Sequence, residues 1–161
     1  MSNNIKKNYF YFVYIFLIFT ADRVSKIFIL NIFEASELTT IKITPFLNLS
    51  LVWNNGIAFG LLPLEENFYY NILTLIIFLI VILIIFIAYK TSNSIEKLSY
   101  LMIVGGASGN IFDRLYYSSV IDFIDITINN FHWFIFNVAD IFITLGILIL
   151  LTREFLNKKY E

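Results

Sequence analysis

The sequence predicts an all-α membrane protein, four transmembrane helices with a small β-sheet platform on the outer face, and three observations predict it. Long apolar runs recur four times in a chain that is 59% hydrophobic and only 14% charged, where a soluble domain carries roughly 25% charged residues. The carboxylates gather toward one end of those runs. Between runs, short stretches alternate apolar and polar residues as half-buried strands do. A bilayer core about 30 Å thick takes roughly 20 apolar residues at about 1.5 Å rise each. The expected spans are therefore about residues 9–30, 69–89, 98–116 and 133–151, in one integral membrane domain over residues 1–161.

The first run, Tyr9 to Leu30, is broken by "DRVSK" at Asp22 to Lys26. Its start imitates a secretory signal, with Lys6 and Lys7 before an apolar core. Bulky Phe19 stands where a cleavable signal needs a small residue, so an uncleaved helix is expected. Asp22, Ser25 and Lys26 are spaced i, i+3, i+4 and share a face, which suggests either an Asp–Lys pair snorkelling to the interface or a functional group.

The outer segment that follows alternates Leu47, Leu49 and Leu51 against Asn48 and Ser50. That is a strand pattern ending in the turn signal "NNG" at Asn54 to Gly56. Trp53 and Phe59 flank the turn as an interfacial platform, and "LPLEENFYYN" reads as a short surface helix. The sequon "NLS" at Asn48 carries little weight.

The second run, Tyr69 to Tyr89, is uninterrupted. In the third, Gly105 and Gly109 form a GxxxG that favours close helix packing. Asn110 and Arg114 share a face one turn on, with Asp113 available for local pairing. A buried Arg needs a carboxylate or carbonyl partner. "VIDFIDITI" after Tyr117 is β-prone and should complete a small outer sheet. His132, the only histidine, sits beside Trp133 with no partner ligands spaced around it, so an interfacial hydrogen bond is expected rather than a metal. In the fourth run, Trp133 to Leu151, Asn137 and Asp140 lie at i, i+3, with Asp140 roughly 10 Å along the helix from its outer start.

Formal net charge is −1 and there is no cysteine. A near-neutral chain is a poor partner for nucleic acid. Lack of cysteine excludes disulfides, a thiol nucleophile, a Cys-based metal site and a lipid on the chain's own Cys. Lys6, Lys7, Lys90, Lys97, Arg153, Lys158 and Lys159 put both termini in the cytoplasm by the positive-inside rule. Arg23, Lys26, Lys42 and Arg114 fall on the other side among Asp22, Glu34, Glu37, Glu65, Glu66, Asp113, Asp122, Asp125 and Asp140. The chemistry should face outward.

Ionisable residues at membrane depth mark function or pair with one another. Asp140 together with Asp122 or Asp125 suggests a carboxylate pair. Two carboxylates in a low-dielectric site share a proton, so one can take a proton from water while the other donates to a carbonyl oxygen. Such chemistry requires no metal and no cofactor.

"DRVSK" (22–26), "NNGIAFG" (54–60), "GGASGNIFDR" (105–114), "VIDFID" (120–125) and "FNVAD" (136–140) resemble, in order, the signature blocks of lipoprotein signal peptidase, or signal peptidase II. The likeness runs from the first helix to the fourth. It implies an aspartic endopeptidase of the bacterial cytoplasmic (inner) membrane, multi-pass with both termini inside, that cuts signal peptides from prolipoproteins just before a diacylglyceryl-modified Cys. Its partners would be lipidated prolipoprotein signal peptides, membrane lipid and globomycin-type inhibitors. The resemblance assigns the catalytic dyad to Asp122 and Asp140, and the surrounding polar residues to Asp22, Asn54, Gly56, Asn110, Arg114, Asn137 and Ala139. Phe134 stands where the family often has Pro, and Ser108 where it often has a bulky apolar residue; neither is a proposed catalytic group.

On this reading the substrate's signal helix lies among the second to fourth helices, in a groove shaped by Gly105 and Gly109. Asn110, Arg114 and Asn137 position the dyad and the peptide backbone, Asp22 braces the site, and Asn54 and Gly56 cover it. A transporter would be expected to carry inverted repeats and midplane charges instead. A scaffold explains GxxxG but not the converging Asp, Asn and Arg. A presenilin-type protease would carry an Asp where "GGASGN" has none.

Overall fold

The structure, a computed structural model, describes residues 3–36, 38–56, 67–128 and 131–158. Four helices and four strands follow in the order α1 (Asn3–Ser36), β1 (Thr40–Thr44), β2 (Leu47–Asn54), α2 (Asn67–Lys90), α3 (Ser94–Tyr117), β3 (Val120–Ile128), β4 (Phe131–Phe136) and α4 (Val138–Lys158). The molecule is thus mostly helical with one antiparallel sheet of order β1-β2-β3-β4. Of the expected surface helix in "LPLEENFYYN", residues 62–66 lie outside the described residues, as do Phe59, Glu37, Glu65, Glu66 and Lys159, while residues 67–71 form the first turns of α2 rather than a separate helix.

Helix α3 is the central element and packs against α1, α2 and α4. Its start is set by Asn93, whose Oδ1 accepts from the backbone N–H of Ile95 at 3.0 Å and of Glu96 at 3.2 Å, satisfying donors that a helix start leaves open. It ends at Ser118 in the left-handed conformation, φ 56°. The bundle core is Val81, Val104, Ala107 and Ile111, with Ile15, Ile77, Ile84 and Ile143 against it. A second core of Ile29, Phe33, Ile121 and Phe123 joins the far end of α1 to the sheet, with Leu49 and Leu51 packed on it.

Glycines set the helix seams. A Cβ at Gly105 would meet Ile18 Cβ at 2.9 Å, and one at Gly109 would run into the Asp22 carboxylate. Both therefore face α1, so the expectation that they shape a groove among α2, α3 and α4 is not met. Gly106, against Ala139 and Ile143, and Gly146, against Ser99 and Ile103, make the α3–α4 seam instead.

The fourth helix starts later than the apolar run predicts. Trp133 to Phe136 belong to β4, with Ile135 opposite Asp125 and Phe136 opposite Ile124. A continuous apolar run looks the same in a buried strand and in a helix, and here pairing with β3 decides. Asp140 consequently lies in the first turn of α4 rather than deep within it.

Among the described residues, Phe68–Lys90 is the one segment with the length and apolar composition of a membrane span. The other long helices carry charged residues among their apolar ones, some at the site, such as Asp22 and Asp140, and others away from it, such as Glu96 and Arg153. Large apolar side chains nonetheless face outward along α1, α2 and α4, including Phe12, Phe16, Leu79, Leu83, Leu148 and Leu151.

Candidate active site

The site grows from the junction where β4 turns into α4. Asn137 and Asp140 form a reciprocal capping pair: Asn137 Oδ1 accepts from the Asp140 backbone N–H at 3.0 Å, and Asp140 Oδ2 accepts from the Asn137 backbone N–H at 3.2 Å. This is a capping box with Asn and Asp in place of the usual Ser/Thr and Glu. It puts a carboxylate at the positive end of a helix, where negative charge is favoured. The N-terminal half of the pair does more, because Asn137 Nδ2 also donates to Asp122 Oδ1 at 2.6 Å and to Asn110 Oδ1 at 3.1 Å.

Asp122 comes from β3, and its other oxygen accepts from Asn54 Nδ2 at the end of β2, 2.8 Å away. Asn110 Nδ2 on α3 donates to Asp140 Oδ1 at 2.9 Å. One connected set of side-chain amides therefore holds both carboxylates, Asn137 touching each of them. Asp122 and Asp140 also line one cavity of about 310 Å³ between α2, α3, α4 and the sheet, together with Asn54, Asn110 and Arg114.

The strand separates the two aspartates that sequence left open. Asp122 and Asp125 are three apart, so the pleat aims them at opposite faces. A bulge between Leu49 and Val52 shifts the β2 register to match. Asp125 is completely buried away from the cavity, accepting from Ser50 Oγ at 3.1 Å and Asn48 Nδ2 at 3.3 Å. It braces the sheet.

Burial pushes the Asp122 carboxyl up to about 7, with the neighbouring Asp140 charge adding to the rise and the Asn54 and Asn137 amides opposing it. A carboxyl so placed holds a proton in the neutral range.

Behind the amides lies an ionic tetrad. Asp22 and Asp113 are fully buried. Lys26 Nζ lies 2.9 Å from Asp22 Oδ2 and 2.6 Å from Asp113 Oδ2. Arg23 reaches Asp22 at 2.9 Å and Asp113 at 2.6 Å, with its guanidinium over the Phe112 ring. Two anions against two cations leave no net charge, which is what such depth of burial requires. Asp22 Oδ1 additionally accepts from the Ala139 backbone N–H at 3.0 Å, tying α1 to the first turn of α4. Gly109 leaves the room that this carboxylate occupies.

Lys26, read from sequence as either a snorkelling partner of Asp22 or a functional group, takes the second course. It does not snorkel; it is fully buried and donates to Asn110 Oδ1 at 3.0 Å. A lysine pointing at that oxygen fixes the amide so that its Nδ2 faces Asp140. The signal was present in the i, i+4 spacing of "DRVSK", where a cation with a carboxylate on its own face has reason to stay inside.

Every other sequence-predicted site residue converges here. Gly56 donates its N–H to Asn54 Oδ1 at 2.8 Å and accepts from Arg114 Nη2 at 2.7 Å. Arg114 also lies over the Tyr70 ring. Its Nε and Nη1 are buried without a hydrogen-bond partner among the described residues, leaving donors available at the cavity wall. The arrangement can hold a peptide backbone by amide and guanidinium groups and present two carboxyls to one cavity.

Comparison with known proteins agrees in extent and in fold. The family model described as signal peptidase (SPase) II matches residues 14–156. A lipoprotein signal peptidase of Pelagibacter ubique (strain HTCC1062) is 49% identical over 158 residues, covering 97% of this chain and 95% of that one. Another from Francisella tularensis subsp. novicida (strain U112) is 38% identical over 152 residues, covering 92% and 93%. A bacterial membrane enzyme solved by the in meso method at 2.3 Å superposes with a TM-score of 0.75 at 25% identity, covering 94% of this chain and 90% of the other. A second, at 1.9 Å, gives 0.69 at 28%, covering 89% and 90%.

Proposed function

The chain belongs to the signal peptidase II family, and from that premise we propose that it is an intramembrane aspartic endopeptidase that removes signal peptides from diacylglyceryl-modified prolipoproteins. It cuts just before the lipidated Cys. Asp122 and Asp140 are the catalytic pair. The observation that carries this reading is that two carboxylates from different elements face one cavity while a single amide, Asn137 Nδ2, and its neighbours hold them together.

The ionised member of the pair takes a proton from water as the water oxygen attacks the scissile carbonyl carbon. The protonated member gives its proton to the carbonyl oxygen. As the gem-diol collapses and the C–N bond breaks, the carboxyl that received the water's proton passes it to the departing amine, and the other carboxylate takes back a proton from a diol hydroxyl as C=O re-forms, which restores the singly protonated pair. The products are a signal peptide with a free carboxylate and a lipidated Cys with a free amino group. Asn110 and Asn137 orient the pair, Arg114 and the Gly56 turn receive the substrate backbone, and Asp22 with Ala139 anchors the start of α4.

The four helices cross the cytoplasmic membrane with both termini inside and the site toward the outer face, as a single membrane domain. Globomycin-type peptides act as competitors for the same cavity. Cleavage of a lipidated prolipoprotein in detergent, followed by gel shift, is the test. It is expected from the wild type, to be blocked by globomycin, and to continue in a strong chelator. Full activity in Asp122→Asn or Asp140→Asn would remove the dyad assignment, and loss in chelator that zinc restores would replace it with metal chemistry.

A further inference from the structure

Asp140 lines a second cavity as well as the one it shares with Asp122. This one has a volume of about 450 Å³ and lies between α4 and the sheet. Its walls are Trp133, Phe134 and Phe136 from β4 and Ile141 and Leu145 from α4, with Asp140 and Thr144 common to both cavities. At about 100° per helical residue, Ile141 and Leu145 fall on one side of the Asp140–Thr144 line, and Ile143 and Ile147 of the first cavity on the other. Asp140 and Thr144 are thus the ridge between two compartments.

The compartments differ in chemistry. The first offers Asn54, Asn110 and Arg114, groups that can satisfy an extended peptide backbone, whose every N–H and C=O needs a partner. The second offers, apart from the shared ridge, only aromatic and aliphatic side chains, and would leave a peptide's polar groups unsatisfied. Hydrocarbon has none to satisfy. Trp133 and Leu145 are 60% and 45% exposed, so the cavity opens sideways to whatever surrounds the helices.

We infer that this second cavity binds the acyl chains of the substrate's thioether-linked diacylglyceryl group during cleavage. The inference rests on the proposed function, in which the lipidated Cys supplies the amide nitrogen of the scissile bond. Its side chain leaves the backbone one residue from the attacked carbonyl, so hydrocarbon must exit beside the catalytic carboxylates. The apolar compartment beginning at Asp140 is where that exit lies. Bilayer lipid has the same acyl chemistry, and the experiment separates the two sources.

The full-length Asp122→Asn variant in vesicles is given prolipoprotein carrying a diazirine in its acyl chains near the glyceryl group, and a parallel sample receives diazirine phosphatidylglycerol. Crosslinks from the substrate are expected to concentrate on residues 133–145 and to fall in excess unlabelled substrate. Labelling by the substrate probe spread evenly along α1 and α2, or phospholipid labelling of 133–145 that excess substrate does not displace, overturns the inference. Kinetics give a second readout in otherwise wild-type enzyme. Leu145→Trp and Ile141→Trp should each raise KM for a dipalmitoyl substrate relative to a diacetyl one by roughly tenfold, the equivalent of about two methylenes losing an apolar environment. An unchanged ratio in both variants refutes it. Wild-type enzyme that fails to cleave any lipidated substrate sinks the proposed function itself, whereas cleavage with unmoved crosslinks and KM ratio sinks the acyl site alone.

Discussion

At the scale of single residues, Asp122 carries the sharpest pH signature. Its carboxyl titrates near 7, raised above the ordinary carboxylate value by burial and by Asp140, so the fold favours its protonated form. The stability it contributes is fully present below about pH 4, the unfolded carboxylate value, and is lost as pH rises through about 7. Thermal unfolding of Asp122→Asn should therefore fall less steeply between those limits than that of the wild type. Activity should follow the same group: kcat/KM should decline on an alkaline limb near pH 7 as the pair loses its shared proton. Asn54→Leu removes a donor that holds the Asp122 value down, so its alkaline limb should move to higher pH; a limb that stays put or moves down contradicts this. Asp122→Asn and Asp140→Asn should each cost roughly 10²-fold or more in rate, the usual worth of a positioned acid or base. Both aspartates were legible in the sequence as expensive carboxylates. Which of Asp122 and Asp125 served the cavity was not legible from spacing, because the answer depends on strand phase and on a bulge in the neighbouring strand. The family resemblance chose Asp122, and the opposite orientation of Asp125 toward Asn48 and Ser50 gives the physical reason.

At the scale of elements, the junction of β4 and α4 explains why the last apolar run tolerates polar residues. Asn137 is a cap outside the helix and Asp140 answers it from the first turn; neither is a defect within a span. The sequence hid this because "WFIF" continues the hydrophobicity of the helix backwards into a strand, and the helix start shows only in the N-x-x-D spacing of 137 to 140. Capping and catalysis should separate by mutation. Asn137→Ser keeps an oxygen for the helix terminus but deletes the amide that bridges Asp122 and Asn110. Asn137→Ala deletes both. Denaturant unfolding should find the Ala variant about 1 kcal/mol less stable than the Ser variant, while both lose most proteolytic activity. Equal stability of the two would mean that the cap carries no weight. The α1–α3 seam yields another expectation. In Gly109→Ala the new methyl meets a carboxylate clamped by Lys26 and Arg23, which cannot give way as a flexible side chain would. Overpacking of this kind costs about 1–3 kcal/mol. Activity should fall with it, because Asp22 holds the Ala139 N–H.

At the scale of the whole molecule, the apolar runs announced four long helices and the alternating stretches announced a sheet, and both are present. Membrane crossing is plain from composition for α2 alone. Some of the polar residues that lower the hydropathy of the other helices neutralise each other in the tetrad or line the cavity. Of the cations assigned to the outer side, Arg23 and Lys26 are held by Asp22 and Asp113, and Arg114 by Gly56 and Tyr70. Lys42 stands exposed on β1. The end assigned to the inner side carries Lys7, Lys90 and Lys97, and Arg153 shares a partly exposed pair with Glu96 at 3.2 Å. Apart from Lys42, the exposed positive charge thus gathers at one end of the bundle, the end that the positive-inside rule assigns to the cytoplasm, and on the proposed topology the polar site at the other end faces outward. The native chain has no cysteine, so single cysteines report topology without background. In intact cells a membrane-impermeant maleimide should label Lys42→Cys and spare Ser92→Cys and Lys7→Cys, which should react only after permeabilisation. Labelling of Ser92→Cys from outside, with Lys42→Cys protected, would invert the orientation.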